Sequence, residues 1–478
     1  MSPVISRLET SPAELLRPLR SEDQDIIPPD ALTFLAALGH RFSERMHWLA
    51  SARAAHAQHL ADGTDTLTFP AATADIRDGD WHVAPAPADF GPGKSTLAEP
   101  SDRGAMIDAL AKGAGLAVAD FEDSTSPTWS NVVDSQRLLR LAVRRSLHAD
   151  PTSSGRQSSP QSTLVVRPRS WQRRERHVLV DDRPMPAPLV DAGLFMFHNA
   201  HALRHHRSGP YFSLPRVEGG SEAALWEDVL TFAEEWLDLP RGTARVTMMV
   251  ESVGAVFELD EVLYALRDRV CGMSIGRWNY LVSFIRTRSH DPRAVLPDRS
   301  QLTMTQPALK AYAQRVVQVC HRRGAWTDGF DVRDSGDDDG APITAEQLLV
   351  TPTGSRTEAG LRFHVRVAMR YLEAWLRGRG RVSLYGVRED ASAAELSSAQ
   401  VWQWVRHGAT LDDGRRVTRD LVNAIVTEEM RVIAGEVGKA AFVKGRFIEA
   451  RTLFLSVATA EELPELVTVA GYPKLTEQ

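Results

Sequence analysis

Residues that can do chemistry recur at the ends of short apolar runs in this chain. "VADFEDS" closes one run with Asp120, Glu122 and Asp123, and "VTMMVES" closes another with Glu251. Carboxylates so placed can hold a hard cation such as Mg2+, which takes oxygen ligands. They can equally cap the helices that follow, where negative charge suits the N-terminus. "VVRPRSW" sets Arg167 and Arg169 on either side of Pro168. A guanidinium there can clamp a carboxylate or stabilise a developing oxyanion, or it can make a structural salt bridge. "GMSIGRWNY", residues 272–280, matches the G-x-S-x-G nucleophile pattern around Ser274. A hydrolase would also need an acid and a histidine, and His290, His321, His364 and His407 lie downstream. "YGVREDASAAELSSAQVWQW" puts Glu389 and Asp390 directly before a helical stretch, where one of them can serve as its cap.

The elements that position these residues alternate. From about residue 104, short apolar runs alternate with amphipathic stretches. The runs are "GLAVADF", "STLVVRP", "GLFMFH", "PYFSLP", "RVTMMVE", "CGMSIG" and, more weakly, "AWTDGF"; the helical stretches include "NVVDSQRLLRLAVRR", "EAALWEDVLTFAEEWL" and "VGAVFELDEVLYALRD". In the last, Val256, Leu259, Leu263 and Leu266 form one stripe. Strand and helix in alternation predict an α/β fold with a mainly parallel sheet. Glu122, Asp123, Arg167, Arg169, His198, Glu251 and Arg277 all follow directly on apolar runs. That favours a barrel whose chemistry collects at the carboxyl ends of its strands. Before this region, Pro28 and Pro29 open a helix over residues 30–62. The stretches 148–162 and 331–342 read as loops, the second acidic and without a core pattern. Beyond it, 355–379, 392–407, 418–435 and 445–461 read as helices.

Bulk composition narrows the class. The 478 residues are 43% hydrophobic and 25% charged, as in ordinary globular proteins. A net charge of −6 argues against a nucleic-acid partner. Two cysteines, Cys271 and Cys320, are too few for a disulfide framework and suit a reducing, cytoplasmic setting. No apolar run approaches the roughly 18 residues that a membrane span needs, so no membrane partner is expected. The oligomeric state is left open.

Taken in order, "ADFEDSTSPTW", "RPRSW", "GPYFSLPRVE", "FELDEVLYALRD", "GRWNY", "VLPDR", "CHRRGA", "TEAGLR", "YLEAWLRGRG", "EDASAAELSSAQVWQW" and "LDDGRRVT" resemble the A-type malate synthases. The resemblance runs from about residue 26 to the C-terminus. It implies a (β/α)8-type TIM barrel, an N-terminal helical clasp and a C-terminal all-helical domain over the barrel mouth. The corresponding division is 1–95, 96–335 and 336–478. It also implies condensation of acetyl-CoA with glyoxylate, or a related 2-oxo acid, followed by hydrolysis of the thioester and release of CoA. Carried over motif by motif, Asp390 is the base that deprotonates the acetyl methyl, and Arg167 steadies the enolate oxygen. Glu251 is a ligand of Mg2+, and the backbone around Gly276, Arg277 and Trp278 lines the glyoxylate site.

The sequence departs from the family in two places. Asn279 stands where the family carries the second metal-binding aspartate, and losing a carboxylate weakens Mg2+ binding. "WTDGFDVRDSGDDDGAP" replaces a longer segment that supplies the last barrel strands, so the barrel is expected to be incomplete or to close differently. Three readings therefore stand: a synthase, a catalytically impaired or repurposed homologue, and an acyl-CoA thioesterase or lyase using Ser274.

Overall fold

The computed structural model describes residues 12–61, 65–91, 93–113, 115–148, 161–328 and 341–476. Helix α1 (Pro29–Ala61) starts on a proline whose fixed φ suits the first helical turn. It buries Ala31, Phe34, Leu35, Leu38, Phe42, Met46 and Leu49 along one stripe. Seven parallel strands follow: β1 (Ser95–Ala98), β2 (Leu116–Asp120), β3 (Thr163–Arg167), β4 (Tyr211–Leu214), β5 (Arg245–Val250), β6 (Val270–Ile275) and β7 (Trp326–Asp328). They pair in chain order from β1 to β7. Helices α2 (Trp129–Val143), α3 (Ala187–His205), α4 (Gly220–Trp236), α5 (Arg277–Thr287) and α6 (Pro307–Arg323) lie between or after them.

The sheet curls into a seven-stranded half-barrel. Leu97 of β1 and Trp326 of β7, at opposite edges, pack on one small cluster of Phe90, Leu116, Val118, Val165, Tyr211 and Cys271. Phe90 lies flat on Tyr211 at 4.2 Å and edge-on to Trp326 at 6.2 Å, so it plugs the concave face. Among the described residues, no ladder joins β1 to β7. The expected incompleteness is therefore seen as an open edge between the first and last strands.

One expected strand and one expected helix are corrected. "GLFMFH", residues 193–198, lies inside α3, and its place among the seven strands is taken by β1. Helix α3 is apolar almost all round because α1 covers its outer side, so its periodicity is hidden. A side chain at Gly193 would come 2.8 Å from Leu35 of α1, so the two helices meet closely there. The stripe over 256–266 also belongs to two short helices, Val253–Phe257 and Leu259–Ala265, broken at Glu258. The Glu258 carboxylate accepts from Gly220 N at 2.9 Å.

Beyond the barrel, α7 (Glu358–Leu376), α8 (Ala391–Arg406), α9 (Arg419–Val437) and α10 (Phe447–Ala458) form a second core. This region is not all-helical: strands Val382–Leu384 and Val387–Glu389 form a hairpin. Its two turn residues, Tyr385 and Gly386, have φ of 50° and 81°. Left-handed backbone at both positions suits a tight hairpin turn, but a tyrosine there gives no sequence signal for one. The hairpin delivers Glu389 and Asp390 to the start of α8. The region is stitched to the end of β2: Ser126 Oγ donates to Trp375 O at 2.7 Å and Ala391 N to Asp123 O at 3.0 Å. A Cβ on Gly380 would lie 1.9 Å from Ser124 O, so only glycine permits this approach. Most of the loop stretches 148–162 and 331–342 fall outside the described residues.

Candidate active site

The carboxyl ends of β2, β3, β4 and β5 and the first turn of α5 converge on one buried charged cluster. Arg167, at the end of β3, is 1% exposed. Its Nη1 donates to Asp120 and to Asp123, each at 2.9 Å, and its Nη2 spans both Glu251 oxygens at 2.8 and 2.9 Å. Its Nε is buried without a partner. Asn279 sits opposite, with Nδ2 donating to Asp123 at 2.8 Å and to Glu251 at 2.5 Å. Asn279 Oδ1 accepts from Arg216 Nη2 at 2.9 Å.

Arg216, unremarked in the sequence, completes the cluster. Its Nε donates to Glu122 at 2.6 Å, its Nη2 to Asp123 at 3.1 Å and its backbone N to Glu251 at 3.1 Å. Its φ is +49°, a left-handed conformation that is uncommon for a side-chain-bearing residue. That turn lets its amide and its guanidinium address the same site. The signal was available: "SLPR" ends its strand in arginine near proline, much as "VVRP" does.

The carboxylates divide by role. Asp120 folds its own turn, accepting from Glu122 N, Asp123 N and Ser124 Oγ. Glu122 is held by Ser170, Arg173 and Arg216. Burial opposes ionisation of Asp123, but Arg167 and Arg216 outweigh it and hold the carboxyl below its ordinary range. Burial dominates at Glu251 and raises its pKa despite Arg167. Asp390 is the N-cap of α8, accepting from Ser392 N at 3.1 Å and from Ser392 Oγ. Burial, and then the neighbouring Asp123 charge, push it up to about 7.

Other candidates fall outside this cluster. Every guanidinium nitrogen of Arg169 is engaged, Nε and Nη2 with Asp191 at 2.9 and 2.7 Å and Nη1 with Glu175 at 2.9 Å. His198 Nε2 meets Ile26 O at 2.6 Å on α3. Ser274 lies within β6, before the turn at Gly276, so it is no strand-to-helix elbow. His364 meets Ser397 Oγ and His407 meets Ser289 O; neither approaches Ser274. Gly276, Arg277 and Trp278 separate. Gly276 packs on the Glu251 side chain, where a Cβ would lie 2.5 Å from Glu251 Cγ. Arg277 and Trp278 line a different cavity of about 590 Å3 with Arg299, Phe363 and Glu389. There the Arg277 and Arg299 guanidiniums lie 3.9 and 4.5 Å from the Trp278 ring, and Arg299 donates to Glu389 at 2.9 Å. A further cavity of about 430 Å3 opens beside Arg216, Glu251 and Asn279 and runs toward α1.

The donor chemistry can be tested against Mg2+. Every oxygen of Asp123 and Glu251 already accepts an N–H. The Asn279 amide has one orientation that suits its neighbours, because Arg216 only donates and the carboxylates only accept. That orientation turns the amide nitrogen, not its oxygen, toward the place between the carboxylates. Among the described residues, no group of three or more His, Cys, Asp or Glu is placed to share a metal ion. The arrangement does not fit a bound Mg2+.

A curled parallel sheet with acids and arginines at its carboxyl ends, capped by a helical region that brings one raised-pKa carboxylate, defines a barrel-type enzyme. Two family profiles match: "Malate synthase, TIM barrel domain" over residues 163–330 and "Malate synthase, C-terminal" over 355–475. The chain is 38% identical to the malate synthase of Myxococcus xanthus, with 95% of each chain covered. It is 36% identical to malate synthase A of Escherichia coli, covering 95% of this chain and 97% of that one. Identity to the malate synthase of Streptomyces clavuligerus is also 36%, over 97% and 98%. The chain belongs to the malate synthase family. The Myxococcus match spans 513 positions, more than the 478 residues of this chain, so relatives carry residues that it lacks. Malate synthases are generally Mg2+-dependent. Among the described residues, no helix is long and apolar enough to cross a membrane.

Proposed function

We propose that this chain joins acetyl-CoA to glyoxylate or a related 2-oxo acid and hydrolyses the thioester, with Asp390 as base and Arg167 as the enolate's partner. The observation that carries this reading is the pairing of an orphaned donor with a poised acid. Arg167 keeps one buried N–H unspent, its Nε, while α8 is pinned to the end of β2 through Ala391 and Asp123. A carboxylate with a pKa of about 7 takes a proton at neutral pH more readily than an ordinary aspartate. A preorganised guanidinium in a dry site stabilises the enolate oxygen as its charge develops.

In the step so described, Asp390 takes a proton from the acetyl methyl and the enolate oxygen accepts from Arg167 Nε. The methyl carbon then bonds to the acceptor's carbonyl carbon, whose oxygen takes up a proton. Water cleaves the thioester and CoA leaves as the thiol. Arg216 supplies positive charge beside the acceptor, with Asn279 fixing its guanidinium. The cavity of Arg277, Trp278 and Arg299 is the approach for the acyl-CoA, because Glu389 on its wall is the residue before Asp390. No step passes through a metal. The division at residues 95 and 335 and a cytoplasmic place in the glyoxylate cycle belong to the same proposal.

The test is CoA release from acetyl-CoA and glyoxylate, with Mg2+ or with a chelator. The expected result is release that survives the chelator and disappears in Asp390→Asn. Release that stops with the chelator contradicts the cation-free site, and release unaffected by Asp390→Asn contradicts the base.

A further inference from the structure

We infer that the cavity beside Glu251 and Asn279 receives the distal carboxylate of a 2-oxo dicarboxylic acid, so that the preferred acceptor is larger than glyoxylate. The inference deepens the reaction proposed above and rests on its acceptor lying at Arg216 and Asn279.

Size is the first argument. The cavity holds about 430 Å3 and is continuous from Arg216, Glu251 and Asn279 to Trp171, Arg174 and Arg286. That lies within the range of pockets that enclose whole ligands, roughly 300–1,000 Å3. A two-carbon acid would leave most of it unfilled.

Charge is the second. Arg53 of α1 answers the acids of this cavity, pairing with Glu218 at 3.1 Å, with Glu222, and with Glu465 at 3.7 Å. The acids nearest the reaction are answered by Arg167, Arg216 and the Asn279 amide. Arg174 and Arg286 line the same cavity, within the field of Glu465. Neither forms an ion pair among the described residues, and Arg286 Nη2 donates to Pro464 O at 3.0 Å. Burial lowers the pKa of both, the signature of a guanidinium taken from water without full compensation.

Orphaned donors are the third. Arg174 Nη1 and Trp171 Nε1 are buried without partners, and Trp171 is 7% exposed. Buried N–H groups left unmet cost stability unless a ligand or water meets them. A carboxylate offers two acceptor oxygens to a planar guanidinium and an indole N–H, a better match than a neutral chain end. The other orphans on this wall are Arg53 Nε, which lies 3.1 Å from Glu218 as an ion pair only, and Gln172 Oε1, an acceptor for a water or hydroxyl.

The bond changes are those already described. The acetyl methyl loses its proton and bonds to the ketone carbon, the ketone oxygen is protonated, and water releases CoA. The distal carboxylate takes no part.

The experiment compares 2-oxoglutarate with 2-oxopentanoate, which has the same chain length and no distal carboxylate. Calorimetric titration of the full-length protein is expected to show at least about tenfold tighter binding of 2-oxoglutarate, the scale of charged hydrogen bonds. In Arg174→Gln/Arg286→Gln the ratio falls toward one. Equal affinities in the unmodified protein, or a ratio unchanged in the double variant, overturn the inference. Discrimination without CoA release from acetyl-CoA and any 2-oxo acid overturns the reaction while keeping the cavity's ligand class. CoA release with glyoxylate but no binding of 2-oxoglutarate does the reverse.

Discussion

Arg167 and Arg169 stand two residues apart in "RPRS", both about 1% exposed and both surrounded by carboxylates, yet their neighbourhoods differ. Arg169 spends Nε and both terminal nitrogens on Asp191 and Glu175, and Glu175 is satisfied again by His177 and Tyr472. Arg169 outweighs burial there and holds Glu175 down at about 2. No guanidinium nitrogen of Arg169 is left without a partner. Around Arg167, one guanidinium N–H is unspent, two arginines share four acids, and Asp390 above them is raised to about 7. The same residue types thus give a closed ion pair on one side of Pro168 and an unfinished site on the other. Incompleteness of the polar network, not the presence of charge, marks the reactive place.

Substitutions can break this contrast, and the largest effect is expected at the base. Asp390→Asn removes the only proposed proton acceptor, and a loss of about 10²–10⁴-fold in CoA release is the scale for general-base chemistry. Its stability should move the other way. A folded-state pKa above the unfolded one means that ionisation of Asp390 costs stability as pH rises from about 4 to about 7. Thermal unfolding should therefore find Asp390→Asn at least as stable as the parent at pH 8, with any gain fading below pH 4. A less stable Asn variant at pH 8 would count against the raised pKa.

Conservative exchange of the two arginines sharpens the comparison further. Arg167→Lys keeps the charge but loses the Nε–H and the two-pronged grip on Glu251, so kcat should fall about 10²–10³-fold, the scale of one lost oxyanion donor. Arg169→Lys should leave the folded protein active yet lower its unfolding free energy, by as much as the ~3–5 kcal/mol of a broken buried pair. Denaturant titration beside kinetics separates the two outcomes. If both variants lose activity alike, the division between closed and open sites is wrong.

Smaller effects are expected at the edges of the site. Asn279→Asp adds a carboxylate between Asp123 and Glu251 and should confer Mg2+ binding detectable by calorimetry, where the parent shows none. Ser274→Ala should change CoA release by less than about twofold, since surface and bystander changes rarely exceed ~0.5 kcal/mol.

Much of this arrangement was legible in the sequence because strand ends bring their following residues together. Asp123, Arg167 and Glu251 follow apolar runs, Asn279 is marked by the family motif it departs from, and all four meet in one cluster. "SLPR" marks Arg216 as a strand-end arginine, but the left-handed backbone that lets its amide and guanidinium meet the same cluster leaves no side-chain pattern. Residues 193–198 misled because a helix buried on both sides shows an apolar run without a polar face. The hairpin before Asp390 was hidden by Tyr385 at a turn position that usually takes glycine or asparagine. The family resemblance groups the backbone of Gly276, Arg277 and Trp278, while the helix start turns their side chains to different faces.

The most direct test of the central claim is the pH dependence of kcat/KM for acetyl-CoA with glyoxylate, measured in chelator. This parameter reports the essential base of the free enzyme. It should rise with pH through a single ionisation near 7 and then level off, with that ionisation absent from the residual activity of Asp390→Asn. A profile already flat from pH 5 upward, or the same ionisation persisting in Asp390→Asn, would contradict it.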